Sequence, residues 1–358
     1  MSRNNPEHQS VLIVSEHSNP DKIKRHWEPL GNVTNDATMV CLTPSEDTDL
    51  NFVQVPTFGN RLFGILLLFP YALKERITGS YDLVVAASLF PYGLYALTVG
   101  VLSRTPTHLL ILGIDLDAHA EAWYGRLPQM AFRRFNSISV LGTEHQRQIE
   151  QYGVCSKDVL KLANTIDTEK YTPEVMSENP QYDFVWSGRF SSEKDPIIFI
   201  EALEELQSRG HEVNAVMLGE GELMEKIKKH RIDSGLSDTV SLPGWIENPV
   251  DYYAESEIFT LTSRRDALAL SLLESMAMGL ACIAPRVGNI PDVATGEENA
   301  LLVEDHSAEA FADAMEKLLT NDRLRNRIGD NAIKTGQSFS YEQAQKDWKR
   351  IVTYTVDN

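Results

Sequence analysis

Short apolar runs recur along the chain, and segments long enough to form helices separate them. The runs begin at Val11, Met39, Leu83, Leu109, Ile138, Phe184, Val213, Ile258, Leu280 and Leu301. Strands that are apolar throughout, rather than at alternate positions, are typical of a parallel sheet that helices cover on both faces. The pattern therefore predicts an α/β protein built on parallel sheets.

Local signals for helix ends agree with that pattern. Side-chain acceptors cap the free amides of a first helical turn, proline suits the first helical position, and glycine ends helices. The predicted signals are a capping box at Thr143 and Gln146, a stop at Gly153, N-caps at Asp195 and Asn248, each followed by proline, and a helix start at Ser340.

Polar residues and prolines gather between residues 166 and 182, where the apolar pattern lapses. As many predicted strands precede this segment as follow it. We therefore predict two doubly wound α/β domains, residues 1–165 and 183–339, joined by a linker at 166–182. Ligands of such sheets bind beyond the carboxyl ends of the strands, so two facing domains would enclose an interdomain cleft.

The chain has 358 residues, of which 42% are apolar and 23% charged, as in ordinary globular proteins. Its net charge of −18 disfavours nucleic acid as a partner. Residues 1–165 carry 14 basic and 16 acidic side chains (net −2), and residues 166–358 carry 19 and 35 (net −16). The acid-rich half is either a solvated surface or an adaptation to salt, and the second interpretation predicts a stability that rises with KCl.

The three cysteines, Cys41, Cys155 and Cys282, are far apart and lack the spacing of a disulfide framework or a zinc site. They fit a reducing compartment. The first ten residues contain no apolar segment of a signal peptide. We therefore expect a cytoplasmic protein.

Two apolar stretches are longer than a strand. Residues 62–73 are too few to span a bilayer, and residues 83–102 divide into a strand, a turn at Phe90-Pro91 and a helix. A helix at 61–76 is flanked by Arg61, Lys74 and Arg76. It is either an ordinary core helix or a helix that lies on an anionic membrane, which would place the protein peripherally at the inner face of the cell membrane.

Candidate chemistry begins where the strand at Phe184 ends. Gly188, Arg189 and Lys194 lie between that strand and the next helix. Arginine offers a planar pair of donors to phosphate oxygens, and lysine offers a point charge, so the two cations suit a diphosphate. The alternative is a loop whose cations form surface ion pairs.

Two further strand ends carry glycine. Gly219-Glu220-Gly221 lacks the third glycine of a dinucleotide fingerprint, so it is either a tight turn or a place where a ligand approaches the backbone. Gly244-Trp245 follows a short strand, and its indole is either part of a core or a stacking surface for a base.

The segment from Ser263 to Ala284 predicts a buried helix over 268–278 that ends at Gly279. Glu274 lies in the middle of a polar stripe on that helix, and a buried carboxylate needs partners. Ribose hydroxyls or a buried cation would serve. Asp266 precedes the helix and is either a sugar-binding carboxylate or a helix N-cap.

Residues 183–303 resemble the retaining glycosyltransferases of family 4, which have the GT-B fold of two Rossmann-like domains. The similarity rests on motifs that occur in the family's order. They are Gly188-Arg189-Phe190 with Lys194, Leu218–Gly221, Leu242–Trp245, the block Ser263–Ala277 with two acids eight residues apart, and Thr143-Glu144 with Ala163–Asp167.

The resemblance implies a function: transfer of a sugar from a nucleotide-diphospho-sugar to a lipid-linked oligosaccharide, polysaccharide or similar glycan acceptor. It implies no metal and no other cofactor, because cationic side chains replace Mg²⁺. The last helix, 340–358, would cross back to the first, acceptor-side domain, as the family's last helix does.

The resemblance also implies roles for single residues. Arg189 and Lys194 would bind the diphosphate, Asp266 would face the sugar, and Glu274 would hold the ribose. The remaining donor-binding positions would be Gly188, Gly219, Trp245, Ile246, Leu270 and Ser271.

The chain departs from the family pattern in both halves. Asp266 stands where the family usually has Glu, and Ala267 and Ala269 replace Gly or Pro, which leaves the donor sugar open. In the first half, Ser15-Glu16-His17-Ser18 replaces a glycine-rich loop. Asp115 is the candidate catalytic residue of that half, with His119 or His17 as alternatives.

These departures keep two other readings open. One is a sugar-nucleotide hydrolase or epimerase of the same fold, and the other is a nucleotide-sugar-binding protein without catalysis. The missing dinucleotide fingerprint disfavours an NAD(P) oxidoreductase.

Overall fold

A computed structural model describes residues 6–16, 20–45, 48–113, 116 and 126–358. The chain divides into two compact units. Unit 1 combines Met1–Thr165 with Tyr341–Asn358, and unit 2 is Ile166–Ser340. The segment predicted to be a linker lies within unit 2, where the backbone amides of Ser177 and Gln181 donate to the carbonyls of Ala254 and Glu255.

Unit 1 is built on a parallel sheet of seven strands in the order β3-β2-β1-β4-β5-β6-β7. The strands are β1 (Ser10–Val14), β2 (Asp36–Cys41), β3 (Asn51–Gln54), β4 (Leu83–Ala87), β5 (Thr107–Leu110), β6 (Ser137–Val140) and β7 (Val159–Lys161). The central strands are buried on both faces, as the apolar runs predicted.

The helices of this part of the chain are α1 (Pro20–His26), α2 (Glu28–Gly31), α3 (Arg61–Thr78), α4 (Leu94–Ser103), α5 (Arg126–Phe132) and α6 (Thr143–Gln151). A π-helical turn over Leu89–Gly93 precedes α4, and short 3-10 turns lie at Pro6–His8 and Ser156–Asp158. Apolar cores lie on both faces of the sheet.

Unit 2 repeats the plan with a six-stranded parallel sheet in the order β10-β9-β8-β11-β12-β13. The strands are β8 (Tyr182–Ser187), β9 (Ala215–Leu218), β10 (Val240–Gly244), β11 (Ser256–Thr260), β12 (Ala281–Pro285) and β13 (Leu301–Val303). The helices are α7 (Pro196–Ser208), α8 (Met224–Asp233), α9 (Val250–Ala254), α10 (Leu270–Met278), α11 (Ala308–Leu319) and α12 (Asp322–Gln337), with 3-10 turns at Pro173–Val175 and Ile290–Asp292.

The last helix, α13 (Tyr341–Asp357), belongs to unit 1. Its buried residues Trp348, Ile351 and Val352 join the core that contains Trp27. The Trp348 indole also donates to the backbone carbonyl of His26 at 3.1 Å. The chain therefore returns to its first unit after completing the second.

Two predicted helix caps are wrong, and a third is right in position but makes no capping bond. Gly142 occupies the N-cap of α6, so Thr143 is the first helical residue, and Pro249 occupies the N-cap of α9 in place of Asn248. Asp195 does hold the N-cap position of α7, but its carboxylate makes no capping bond because it pairs with other side chains.

The apolar segment at 61–76 forms α3, with Asn60 as its N-cap. The helix buries Gly64, Leu68 and Ala72. Its opposite face exposes Leu62, Leu66 and Ile77, so α3 is only partly a core helix. Within the described ranges, no helix has both the length and the hydropathy needed to cross a membrane.

Candidate functional site

The loops after β8 and β11 meet at one place in unit 2. These strands are neighbours in the sheet, and the chain moves outward from them in opposite directions. Such a switch point leaves a crevice beyond the carboxyl ends of the two strands, where ligands of doubly wound sheets bind. The predicted residues Arg189, Lys194 and Asp266 all lie in these two loops.

Lys194 and Asp266 form an ion pair across the switch point, with Nζ 2.6 Å from Oδ2. Ser263 donates its hydroxyl to the same carboxylate oxygen at 3.1 Å. The Asp266 side chain is only 6% exposed, so the pair is largely desolvated at its acidic end. Asp266 is not a helix N-cap, because α10 begins at Leu270 with Ala269 in the cap position.

A buried threonine fixes the two loops relative to each other. The Trp186 indole donates to Thr262 Oγ1 at 2.8 Å, and that hydroxyl lies 3.0 Å and 2.9 Å from the carbonyl oxygens of Lys194 and Asp195. The amide of Arg264 also donates to the carbonyl of Glu193. Sequence reasoning missed Thr262, because a threonine at a strand end carries no signal of its partners.

Asp195 anchors the same loops from the outside. It has a left-handed backbone, with φ of 45°, and is 6% exposed. Its carboxylate pairs with Arg264 Nη2 at 2.6 Å and with His306 Nε2 at 3.1 Å. Arg264 and His306 are further residues that the sequence analysis did not single out, although Arg264 lies inside the motif block.

Arg189 and Arg265 are the open cations of this region. Both are exposed, and neither side chain forms a hydrogen bond or an ion pair within the described ranges. The surface-ion-pair interpretation therefore fits Lys194 but not Arg189. An exposed guanidinium in the same loop as Lys194 is well suited to hold a phosphate group.

Glycines bring the neighbouring strand ends close together. The amide of Gly188 donates to the Leu218 carbonyl at 3.0 Å, and the amide of Gly219 donates to the Gly244 carbonyl at 2.8 Å. Gly219 has a φ of 131°, and a Cβ there would lie 1.9 Å from the Gly188 oxygen. The G-x-G turn therefore needs glycine for backbone packing, whether or not a ligand is bound.

A cavity of about 370 Å³ opens between the ends of β9 and β10. Glu220, Met224, Lys228 and Gly244 line it. The next residue, Trp245, is 70% exposed, which rules out the core interpretation of its indole. Ile246 beside it is half-buried.

Helix α10 presents Leu270, Ser271 and Glu274 as half-buried residues, while Ser275 and Met278 are buried. Glu274 is thus more accessible than the sequence pattern suggested. The pKa of the buried Tyr253 hydroxyl is raised well above its usual range. Burial is the main cause, and the nearby negative charge of Glu274 is the second.

The loop after β12 supports the Asp266 segment from behind. The side-chain amide and the backbone amide of Asn289 both donate to the Ala267 carbonyl, at 2.8 Å and 3.2 Å. Gly288 has a φ of 53°, and a Cβ there would lie 1.7 Å from the Asp266 carbonyl oxygen. This Gly-Asn pair is a positioning element that sequence reasoning did not identify.

The sequence also predicts candidate site residues in unit 1. Asp115, His119 and His17 lie outside the described residues. Over the part of the chain that is described, no group of three or more His, Cys, Asp or Glu side chains is arranged to hold a metal ion.

The comparison with known protein families bears on unit 2. Residues 167–335 match the model of the family Glycosyl transferases group 1. This stretch contains every donor-side residue described above. The matched stretch lies within unit 2.

Curated relatives carry related names. The D-inositol 3-phosphate glycosyltransferase of Corynebacterium aurimucosum is 27% identical over 60% of this chain and 56% of its own length. An Escherichia coli UDP-Gal:alpha-D-GlcNAc-diphosphoundecaprenol alpha-1,3-galactosyltransferase is 25% identical over 51% of this chain and 52% of its own. The chain thus spans about half the length of the curated relatives it matches.

Solved structures match over both units. The structure of Anabaena Alr3699/HepE in complex with UDP and glucose gives a TM-score of 0.77 at 17% identity, covering 95% of this chain and 98% of that one. The likeness shows the fold: two parallel-sheet α/β units of the GT-B class.

Proposed function

We propose that this protein is a retaining glycosyltransferase that uses a nucleotide-diphospho-sugar and a glycan or lipid-linked acceptor. The observation that carries the proposal is the Lys194–Asp266 pair at the switch point of unit 2, with the exposed Arg189 in the same loop as Lys194. The family match over 167–335 and the transferase names of the relatives support it.

The proposed mechanism is electrostatic. Transfer builds negative charge on the departing diphosphate and positive charge on the anomeric carbon of the sugar. Arg189 and Lys194 donate to the diphosphate, and donors positioned before the reaction each contribute about 2.7–4 kcal/mol in comparable sites. We propose that these cations make the transfer independent of a divalent metal.

Asp266 serves two purposes in this proposal. It orients Lys194 through the 2.6 Å contact, and its remaining lone pairs accept hydroxyls of the donor sugar. A carboxylate already held by Lys194 and Ser263 is a weak nucleophile, which supports attack by the acceptor on the leaving group's own face. Retention of the anomeric configuration follows from that geometry.

The rest of the nucleotide extends over the neighbouring strand ends. Glu274, half-buried on α10, accepts the ribose hydroxyls, with the backbone of Leu270 and Ser271 next to it. The exposed Trp245 and the adjoining Ile246 lie beside the base. Gly188 and Gly219 let the strand ends beside the proposed diphosphate site pack closely together.

Thermal melting with UDP, GDP, ADP and NAD, each with and without Mg²⁺, tests this proposal. A ligand at 100 times its dissociation constant adds about 2.7 kcal/mol to the free energy of unfolding. We expect one nucleoside diphosphate to raise the melting temperature without metal. Stabilisation by NAD alone would overturn the proposal.

Arg189→Ala supplies the matched genetic test. We expect it to lower turnover of the donor about a hundredfold or more, because a charged donor to the leaving group is lost. Arg323→Ala is the control, since Arg323 is also an exposed arginine of unit 2 without a described partner. Equal turnover in the two variants would contradict the phosphate assignment.

We also propose a cytoplasmic location with peripheral membrane contact through unit 1. The support is the exposed apolar face of α3, where Leu62 is 72% and Leu66 65% exposed, next to the exposed cations Arg61 and Lys74. Flotation with anionic phosphatidylglycerol vesicles measures this contact. If the protein stays at the bottom of the gradient, the proposed membrane contact is wrong.

A further inference from the structure

Unit 1 has a switch point of its own, between β1 and β4. These strands are paired in parallel, and the chain leaves them toward opposite edges of the sheet. The same rule that places a ligand beyond β8 and β11 in unit 2 therefore places one beyond β1 and β4 in unit 1.

A charged cluster occupies that position. Glu16 follows β1, Tyr92 follows β4, and Arg61 is the first residue of α3. Tyr92 Oη donates to Glu16 Oε2, and Arg61 Nε donates to Glu16 Oε1. The Glu16 side chain is 9% exposed, whereas that of Arg61 is 77% exposed. Burial, followed by the bond to Glu16, raises the pKa of Tyr92 above its usual range, so Tyr92 stays a neutral donor.

Glu16 therefore orients the guanidinium without using its outer donors. Only Nε of Arg61 is bonded within the described ranges, and the terminal nitrogens face solvent. A guanidinium held by one edge offers a prearranged pair of N–H donors, which is the geometry that binds a phosphate bidentately.

An apolar surface begins at the same arginine. Phe58 is 78% exposed and Phe63 is 45% exposed, with their rings 5.8 Å apart, and Leu62 and Leu66 continue the surface along α3. The exposed ionised side chains of α3 are the cations Arg61 and Lys74, because Glu75 is half-buried and accepts a hydrogen bond from Tyr81. Arg61, Lys74 and Arg76 stand against Glu75 and the paired Glu16, so this helix and its partner carry one net positive charge in a protein of net charge −18, and that sign favours an anionic, amphiphilic ligand.

We propose that Arg61, held by Glu16 and Tyr92, binds the phosphate of an alkyl- or lipid-phosphate acceptor whose chain lies on the apolar surface of α3. The inference rests on the proposed function, and it narrows the acceptor from any glycan to one attached to a lipid phosphate. Arg61 is then a specificity-determining residue of the acceptor site.

Calorimetric titration with octyl phosphate, below its micelle concentration, tests the assignment. We expect Arg61→Met to weaken octyl phosphate binding about tenfold or more, because a charge-assisted pair of hydrogen bonds is lost. Arg61→Lys should keep part of the affinity. Lys157→Met is the matched control: it removes an exposed cation of unit 1 from the turn before β7, at the opposite edge of the sheet, and should leave the affinity within a factor of about two.

Other outcomes separate the proposals. Equal weakening by Arg61→Met and Lys157→Met, tight binding of the neutral octyl glucoside, or no binding of octyl phosphate would each overturn the site. UDP titrations of the same variants report on unit 2 independently. If octyl phosphate binds and no nucleotide binds, the Arg61 site is supported and the proposed transferase function is wrong. If a nucleotide binds and octyl phosphate does not, the acceptor class alone is wrong.

Discussion

At the scale of single residues, the site depends on groups that never touch a ligand. Thr262 is fully buried and receives the Trp186 indole while its hydroxyl faces the carbonyls of Lys194 and Asp195. One small side chain therefore sets the distance between the two loops whose ends carry Lys194 and Asp266. An isosteric change there should act on catalysis through geometry.

We expect Thr262→Val to lower kcat more than about tenfold while changing the donor KM little, because Lys194 shifts relative to the diphosphate and Trp186 loses its acceptor. Thr262→Ser keeps the hydroxyl and should restore most of the rate. Steady-state kinetics of the three proteins measure the effect. A Val variant as fast as the unchanged protein would contradict the role of the hydroxyl.

Gly219 offers a second test at this scale. Gly219→Ala would place a Cβ 1.9 Å from the Gly188 oxygen, so β8 and β9 must separate and nucleotide affinity should fall about tenfold or more. Gly210→Ala is the control, because Gly210 also has a positive φ, of 90°, with nothing within 4 Å of its Cβ. Both changes carry backbone strain, and only the first should alter UDP titrations.

At the scale of elements, a buried polar network joins the last helix to the sheet of unit 1. His108 on β5 lies between Ser137 and Ser139 on β6, with ring nitrogens 2.7 Å and 2.9 Å from the two hydroxyls. Ser137 also contacts Thr355 of α13 at 2.5 Å. Burial lowers the pKa of His108 to about 3, so the imidazole is neutral in the folded protein.

The free energy of unfolding should therefore depend on pH through His108. The unfolded state takes up the proton near pH 6.5 and the folded state only near pH 3, so stability is complete above pH 6.5 and falls with pH below it. The slope is up to about 1.4 kcal/mol per pH unit. Urea unfolding of the protein and of His108→Gln at pH 7.5 and 5.5 measures it. Parallel losses in both proteins would contradict this assignment.

The elements also show what the sequence predicts well. Buried strands such as Leu83–Ala87 are recognisable in the sequence as continuous apolar runs, because both of their faces are covered. The edge strands β3 and β7 do not: Asn51–Gln54 is largely accessible and Val159–Lys161 is only three residues long. The side chains of Thr143 and Asp195 bond to tertiary partners instead of capping their helices, which local preference does not foresee, and the N-cap of α9 lies one residue later than the predicted Asn248.

The candidate site of unit 2 shows the same difference between residues that the sequence predicts and residues that only the folded structure identifies. Motif spacing brought out Arg189, Lys194 and Asp266, which lie in the loops after two neighbouring strands. Thr262, His306 and Asn289 support those loops from other parts of the chain, and only the folded arrangement identifies their partners. The Glu16 cluster escaped prediction because Arg61 is distant in sequence from Glu16.

At the scale of the whole molecule, the last helix stabilises a unit that begins at the other end of the chain. Trp348→Ala removes a fully buried indole from the core around Trp27 and should cost unit 1 about 3–5 kcal/mol. Lys349→Ala, at an exposed neighbour, should cost little. Calorimetric melting with and without nucleotide separates the units: unit 1 should melt earlier while nucleotide stabilisation of unit 2 persists. A loss of nucleotide binding would mean that the units do not fold independently.

Because the last helix belongs to the first unit, the chain's return also affects the order in which the two units can fold during synthesis. The ribosome releases residues 1–165 first, yet the core that they form lacks Trp348, Ile351 and Val352 until α13 emerges. Unit 2 is continuous in sequence and holds all its parts once Ser340 is free. The segment translated second is therefore able to reach its native state before the segment translated first, and the nascent amino-terminal half must wait, with its apolar surface uncovered, for the last helix to arrive.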